Sequence, residues 1–200
     1  PLELDAVILS HYHHDHVADI GVLQFMRLLK RKNNGEDRAS LLPIHAHTEN
    51  AAGFAALTLE RVSEGVAYKE TDKLNIGPFE ITFMRTLHPV PCFAMRIKEV
   101  KTGKVLVYTA DSGFLPDFVP FSEKADLLLA DTNFFEGMEN HQVHMTSLEV
   151  ARIAKKAEVK TLVLTHLPQI GDLELLKAQA INHAEGIEVL LAKKDLVIDL

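Results

Sequence analysis

Apolar and polar positions alternate along the chain with two different periods. Ala6 to Leu9 is a short apolar run that ends at Ser10, as a buried strand does. From Asp15 to Arg31, Val17, Ile20, Val22, Leu23, Met26, Leu28 and Leu29 recur at helical spacing, with Asp15 and Asp19 near the start. This predicts one helix over 15–31, followed by a polar loop over 33–39. A short strand at Leu41–Ile44 and a helix over Glu49–Val62 come next, the helix with Phe54, Leu57, Leu59 and Val62 as core candidates. The period then shortens. Val66–Lys69, Phe79–Thr86, Phe93–Val100, Lys104–Thr109 and Leu127–Ala130 read as strands, with turns at Ile76-Gly77-Pro78 and Lys101-Thr102-Gly103-Lys104. Thr146-Ser147-Leu148-Glu149 is a capping box that opens a helix to about Lys156. Thr161–Thr165 is a strand, and Leu173–Ala184 a helix closing near Gly186. Ile187–Leu191 and Leu196–Leu200 read as a terminal hairpin. The mixture fits an α+β fold of two sheets sandwiched between helices, in one domain spanning 1–200.

The polar residues that end the first strand change this picture most. His11, His13, His14, Asp15 and His16 stand within six residues. Crowded in a core without a partner, such groups would repel or go unsatisfied. Imidazole and carboxylate are ligands of a borderline divalent metal. His11 and His13, two apart, can converge on one point, and Asp15 and His16 on a second. Three more residues stand in the same setting, polar at the end of an apolar strand. They are His88 after Ile81–Leu87, Asp111 after Val105–Ala110 and His166 after Leu162–Thr165.

His11-x-His13-x-Asp15-His16, followed in order by His88, Asp111 and His166, resembles the signature of the metallo-β-lactamase superfamily. The resemblance implies a four-layer αβ/βα sandwich and a binuclear site. His11, His13 and His88 would hold one ion, Asp15, His16 and His166 the other, and Asp111 would bridge them. It implies two divalent metal ions, zinc first, with manganese or iron as alternatives. Two such ions would hold a hydroxide between them at neutral pH, ready to attack an electrophile. Members usually carry further strands ahead of the motif, yet only ten residues precede His11. The expectation is that the leading strands are missing from the chain as given.

His144, in His144-Met145-Thr146, resembles the non-ligand histidine of the tRNase Z-like and PhnP-like phosphodiesterase branches. There it would protonate the leaving oxygen. Asp131 is a loose match to the carboxylate that orients it, and it could instead cap the following turn. Asp15 stands with them among the catalytic candidates as well as among the ligands. His141 is a weaker catalytic candidate. His45 and His47 read as pocket wall or surface, and Cys92 as a small buried residue. Over nearly its whole length the chain is similar to bacterial YhfI-like metal-dependent hydrolases.

Composition narrows the substrate. A formal charge of −7 gives no general surface for RNA or anionic membrane. Residues 89–110, between His88 and Asp111, hold barely two strands and a turn. They leave no length for the flexible arm by which short-form tRNase Z clamps tRNA. A small or cyclic phosphodiester is therefore the expected substrate, and a large RNA is not. Lactone or thioester hydrolysis and tRNA 3′ processing are the competing activities. One cysteine excludes an intrachain disulfide and fits a reducing compartment. No apolar run reaches transmembrane length and no signal peptide is visible, so the expected location is cytoplasmic. The apolar positions around more than one face of the 15–31 helix point to a homodimer, or to cover by the missing strands.

Overall fold

Leu42, Ile44 and Ala46 are buried on one face of their strand, and the first part of the chain folds around them. The structure, a computed structural model, describes residues 3–34 and 41–200. It forms two compact units, one up to Asp72 and the other from Lys73 onward.

In the first unit β1 (Val7–Ile8), β2 (Leu42–His47) and β3 (Ser63–Tyr68) form a parallel sheet in that order. Parallel neighbours need crossovers. Here α1 (His14–Val17) and α2 (Ile20–Asn34) make one, and α3 (Ala51–Ala56) the other. Leu9, Leu23 and Leu57 pack on Leu42, Ile44 and Ala46 to give a small core.

The single helix expected over Asp15–Arg31 is two. The Asp19 carbonyl accepts the Leu23 N–H at 2.8 Å, which restarts the helix at Ile20. Its end runs on through Asn34, and the rest of the expected polar loop, 35–39, lies outside the described residues. Val22, Phe25, Met26 and Leu29 of α2 are exposed, at the spacing that motivated the expectation of a dimer.

The helix expected over Glu49–Val62 lasts only six residues. Asn50 caps it by accepting the Gly53 N–H. The Leu59 carbonyl then takes the N–H groups of Val62 and Ser63, and Arg61 sits at φ 62°, which turns the chain into β3. Gly53 has its own reason: a Cβ there would stand 2.6 Å from the Tyr12 ring.

The second unit holds a seven-stranded sheet. In chain order its strands are β4 (Lys73–Ile76), β5 (Phe79–Arg85), β6 (Phe93–Glu99), β7 (Val105–Tyr108), β8 (Leu127–Asp131), β9 (Thr161–Thr165) and β10 (Glu188–Leu191). In space they run β10-β9-β8-β7-β6-β5-β4. β4 to β7 are antiparallel and β7 to β10 parallel. The helices are α4 (Phe118–Phe121), α5 (Ser147–Lys156) and α6 (Leu173–His183). Ala151, Ile153 and Ala154 of α5 and Leu176 and Ala180 of α6 share a core with Val107, Leu128, Leu162 and Leu164 of the strands. The capping box at Thr146 and Glu149 is present as read.

Two readings of this unit need correction. The terminal hairpin does not form: Glu188–Leu191 pairs parallel with β9, and 196–200 is not a strand. An apolar strand finds a stronger partner in the open edge of a buried sheet than in a five-residue tail. Lys73–Ile76 is a strand the pattern did not reveal, because its lysine and asparagine face outward on the sheet edge.

Candidate metal centre

Each unit carries its own share of the expected ligands. In the first, β1 ends at Ile8 and delivers Ser10 and His11 to the loop that follows. Tyr68 donates its hydroxyl hydrogen to the Leu9 carbonyl at 2.6 Å, and Tyr12 donates to the His47 carbonyl at 2.7 Å. Burial pushes the Tyr12 phenol up to about 12, so it stays a neutral donor. His11 is fully buried. Its Nδ1 lies 3.0 Å from Ser10 Oγ, and its Nε2 lies 3.1 Å from His13 Nδ1. The His16 ring lies 4.1 Å from His11, centroid to centroid, and Asp15 Oδ2 is 3.3 Å from His16 Nε2. His11, His13, Asp15 and His16 are thus gathered at the start of α1, as the spacing implied. His47 is buried, and burial lowers the pKa of His45, which favours a neutral ring. Neither belongs to a candidate metal group among the described residues.

In the second unit the residues arrive singly. His88 follows β5, Asp111 follows β7 and His166 follows β9. Parallel β7, β8 and β9 present their C-terminal ends together, the usual place for ligand sites. His166 Nε2 is 3.5 Å from Asp111 Oδ2, and His88 Nε2 is 4.0 Å from the same oxygen. His88 Nδ1 donates to the Val143 carbonyl at 3.3 Å. A carbonyl can only accept, so in the neutral ring Nε2 turns a lone pair toward a carboxylate that also only accepts. Lone pairs converging in this way fit a cation. The donor set of imidazole and carboxylate suits a divalent transition metal.

His144 and Asp131 are brought together. His144 Nδ1 lies 2.7 Å from Asp131 Oδ2, and the Ser112 N–H donates to that oxygen at 2.9 Å. Asp131 is fully buried at the end of β8, and its Oδ2 bonds Ser112 and His144 instead of an N–H of the turn that follows. Asp131 Oδ1 lies 3.6 Å from His166 Nδ1. The His144 and His166 rings stack at 4.8 Å. Asp111, His144 and His166 each offer one ligand atom, all within 4.8 Å of one another. Burial pushes the Cys92 thiol up to about 12, which makes it a protonated core residue, as read.

Several supporting groups escape a reading of the sequence. Thr86 Oγ donates to the Asp111 carbonyl, Leu87 N–H donates to Ser112 Oγ, and Asn133 Nδ2 donates to the His166 carbonyl. Ala110 at φ 53° and His166 at φ 50° are both left-handed. Non-glycine residues held there cost about 1 kcal/mol or more and collect at functional sites.

The family described as Beta-lactamase superfamily domain matches residues 1–167. The chain is 45% identical over 197 residues to the "Probable metallo-hydrolase YhfI" of Bacillus subtilis, covering 98% of this chain and 78% of that one. The crystal structure of the metallo-β-lactamase fold protein YhfI superposes with a TM-score of 0.91, over 100% of this chain and 80% of that one. The short form of human tRNase Z gives a TM-score of 0.71 at 20% identity, over 99% of this chain and 80% of that one. A diphosphatase of the PhnP family gives 0.73 at 18% identity, over 98% and 72%. No helix of the described residues is long and apolar enough to cross a membrane.

Proposed function

The chain belongs to the β-lactamase superfamily and is a metal-dependent hydrolase of the α+β metallo-β-lactamase fold; from that premise we propose that it cleaves a small or cyclic phosphodiester with His144 as general acid. The observation that carries this reading is the His144–Asp131 pair beside Asp111 and His166. His11, His13, Asp15, His16, His88, Asp111 and His166 would hold two divalent ions, with Asp111 shared. This assignment rests on the order of the ligands and on family membership. When bound, such ions polarise a phosphoryl oxygen and lower the pKa of water.

The protein's own part is to place and move protons. Asp131 accepts the His144 Nδ1 proton, which fixes the ring and leaves Nε2 to serve the leaving oxygen. The Ser112 N–H holds Asp131 in turn. The likeness in fold to tRNase Z and to a PhnP-family diphosphatase supports reaction at a phosphoryl centre. The substrate is small because the stretch between His88 and Asp111 holds only β6, β7 and the short connections around them, with no length for a clamping arm, and because the chain is acidic.

His144→Ala is the test. Its metal content should match wild type. Turnover of a diester with an alkoxide leaving group should fall by about 10²–10⁴. A nitrophenyl diester should lose far less, because nitrophenolate leaves unprotonated. Equal losses on both substrates would reject acid catalysis, and loss of metal would make His144 a ligand. Turnover of lactones or thioesters, with none of any diester, would reject the phosphodiester itself.

A further inference from the structure

His141 is exposed, yet its ring is held. The Val143 N–H donates to His141 Nδ1 at 3.2 Å, so the neutral imidazole carries its proton on Nε2. The Phe134 ring packs against it at 4.4 Å. Phe134 is itself pinned, since its N–H donates to the Met145 carbonyl and its carbonyl accepts the Ser147 N–H. The backbone before His141 is fixed too. Asn140 is left-handed at φ 64°, and its N–H donates at 2.8 Å to buried Glu149, which also accepts the Thr146 N–H. The His141 carbonyl comes down on Gly113, where a Cβ would stand 2.3 Å from it, so only glycine admits this loop.

Fixing an exposed side chain costs conformational entropy that solvent contact does not return. A bound group does return it, and a preorganised contact strengthens binding. The location says which group. The Phe134 ring also lies 6.0 Å from that of His144, edge to face. If His144 protonates the leaving oxygen, the body of the leaving group lies beside these rings. A ring face suits a planar partner, and one neutral N–H donor suits a ring nitrogen or carbonyl better than a second anion.

We propose that Phe134 and His141 form a subsite for a planar heteroaromatic group, such as a nucleobase, on the leaving side of the substrate. Phe134 supplies the apolar surface, and His141 Nε2–H donates to an acceptor on the heterocycle's edge. This rests on the phosphodiester reading above.

Calorimetric titration of the metal-loaded chain with adenosine 5′-monophosphate and with ribose 5-phosphate tests it, because the two share a phosphate and differ by the base. Wild type should bind the nucleotide about 10-fold more tightly. His141→Ala and Phe134→Leu should each shrink that ratio and leave ribose 5-phosphate affinity unchanged. His141 is exposed, so its replacement should keep the wild-type melting temperature, which guards against trivial unfolding. Equal affinities in wild type would overturn the subsite. So would a His141→Ala loss equal for both ligands, which would make His141 a phosphate contact. Diester hydrolysis indifferent to the base sinks the subsite alone. Thioester or lactone turnover without diester turnover sinks both readings.

Discussion

The two units supply their histidines in opposite ways. In the first, His11, His13, Asp15 and His16 come from one short stretch, the loop after β1 and the start of α1, and Ser10 beside His11 is its immediate neighbour in sequence. In the second, each ring leans on a distant part of the chain. His88 rests on the Val143 carbonyl, His144 on Asp131, and His166 on Asn133. The first cluster is therefore built by local chain geometry. The second exists only when β5, β7, β8, β9 and the loop before α5 are all in register. Short-range geometry can be written as a motif, whereas long-range geometry depends on the whole sheet.

The largest expected effect separates a shared ligand from a local one. Asp111→Ala should weaken metal binding at both positions, by more than the 10–100-fold typical of an outer-shell change. His11→Ala should weaken one and spare the other. Elemental analysis and zinc titration of the two variants check this. Two ions retained by Asp111→Ala would remove its bridging role, and identical losses in the two variants would erase the contrast between the units.

The same contrast governs how much could be read in advance. The seven expected ligands are picked out by residue type, by their place at the ends of apolar strands and by the resemblance to the metallo-β-lactamase signature, and the first two of these signals are local. Thr161–Thr165 is a strand as expected and Leu127–Asp131 differs by one residue, because runs of consecutive buried leucines and valines leave little ambiguity. In the first unit the helix expected over 15–31 is split in two, and the one expected over 49–62 is shorter. Apolar spacing continues past Ala18 and past Ala56, but the chain breaks between α1 and α2, where the Asp19 carbonyl starts a new helix, and after α3 it turns at Leu59–Val62 into β3. The pairing of β10 with β9 was out of reach, because strand partners are chosen by tertiary packing. Ser112, Asn133 and the Val143 carbonyl were hidden for the same reason: a supporting group is defined by what folds against it.

A smaller effect compares supporting groups. Asp131→Asn should keep the metal but lower diester turnover by about 10–100-fold, since an amide oxygen in place of Oδ2 still accepts from His144 Nδ1 and the Ser112 N–H but lacks the negative charge that strengthens the bond to His144. Ser10→Ala, which removes a neighbour of His11 in the first unit, should cost less than tenfold, the local loop still fixing the ring. Steady-state kinetics with one alkyl diester, alongside metal analysis, measures both. If Ser10→Ala proved the more damaging, the first unit would depend on individual contacts more than the second.

The smallest effect concerns the other end of the second unit's strands. Asp126 precedes β8, while Asp131, at the far end of the same strand, faces the ligands. The Val105 N–H donates to Asp126 Oδ2 at 2.9 Å, and Lys160 and Lys104 reach Oδ1 at 2.7 and 3.3 Å. Burial works against the charge, but the bonds from Lys160, Val105 and Lys104 win and hold the carboxyl down at about 2, against an ordinary 3.8. A depressed carboxylate stabilises the fold above its unfolded pKa, and that contribution fades as pH falls from about 4 through about 2. Both lysines are partly exposed, so screening limits the total to about 1–2 kcal/mol. Asp126→Asn should therefore lower stability to urea by that amount at neutral pH. The gap from wild type should close as the acid range is entered. Metal content and turnover should stay at wild-type values, because Asp126 lies at the opposite end of β8 from the ligands. A constant gap at every pH would show that shape and not charge does the stabilising. A fall in turnover would show that the two ends of the sheet are coupled.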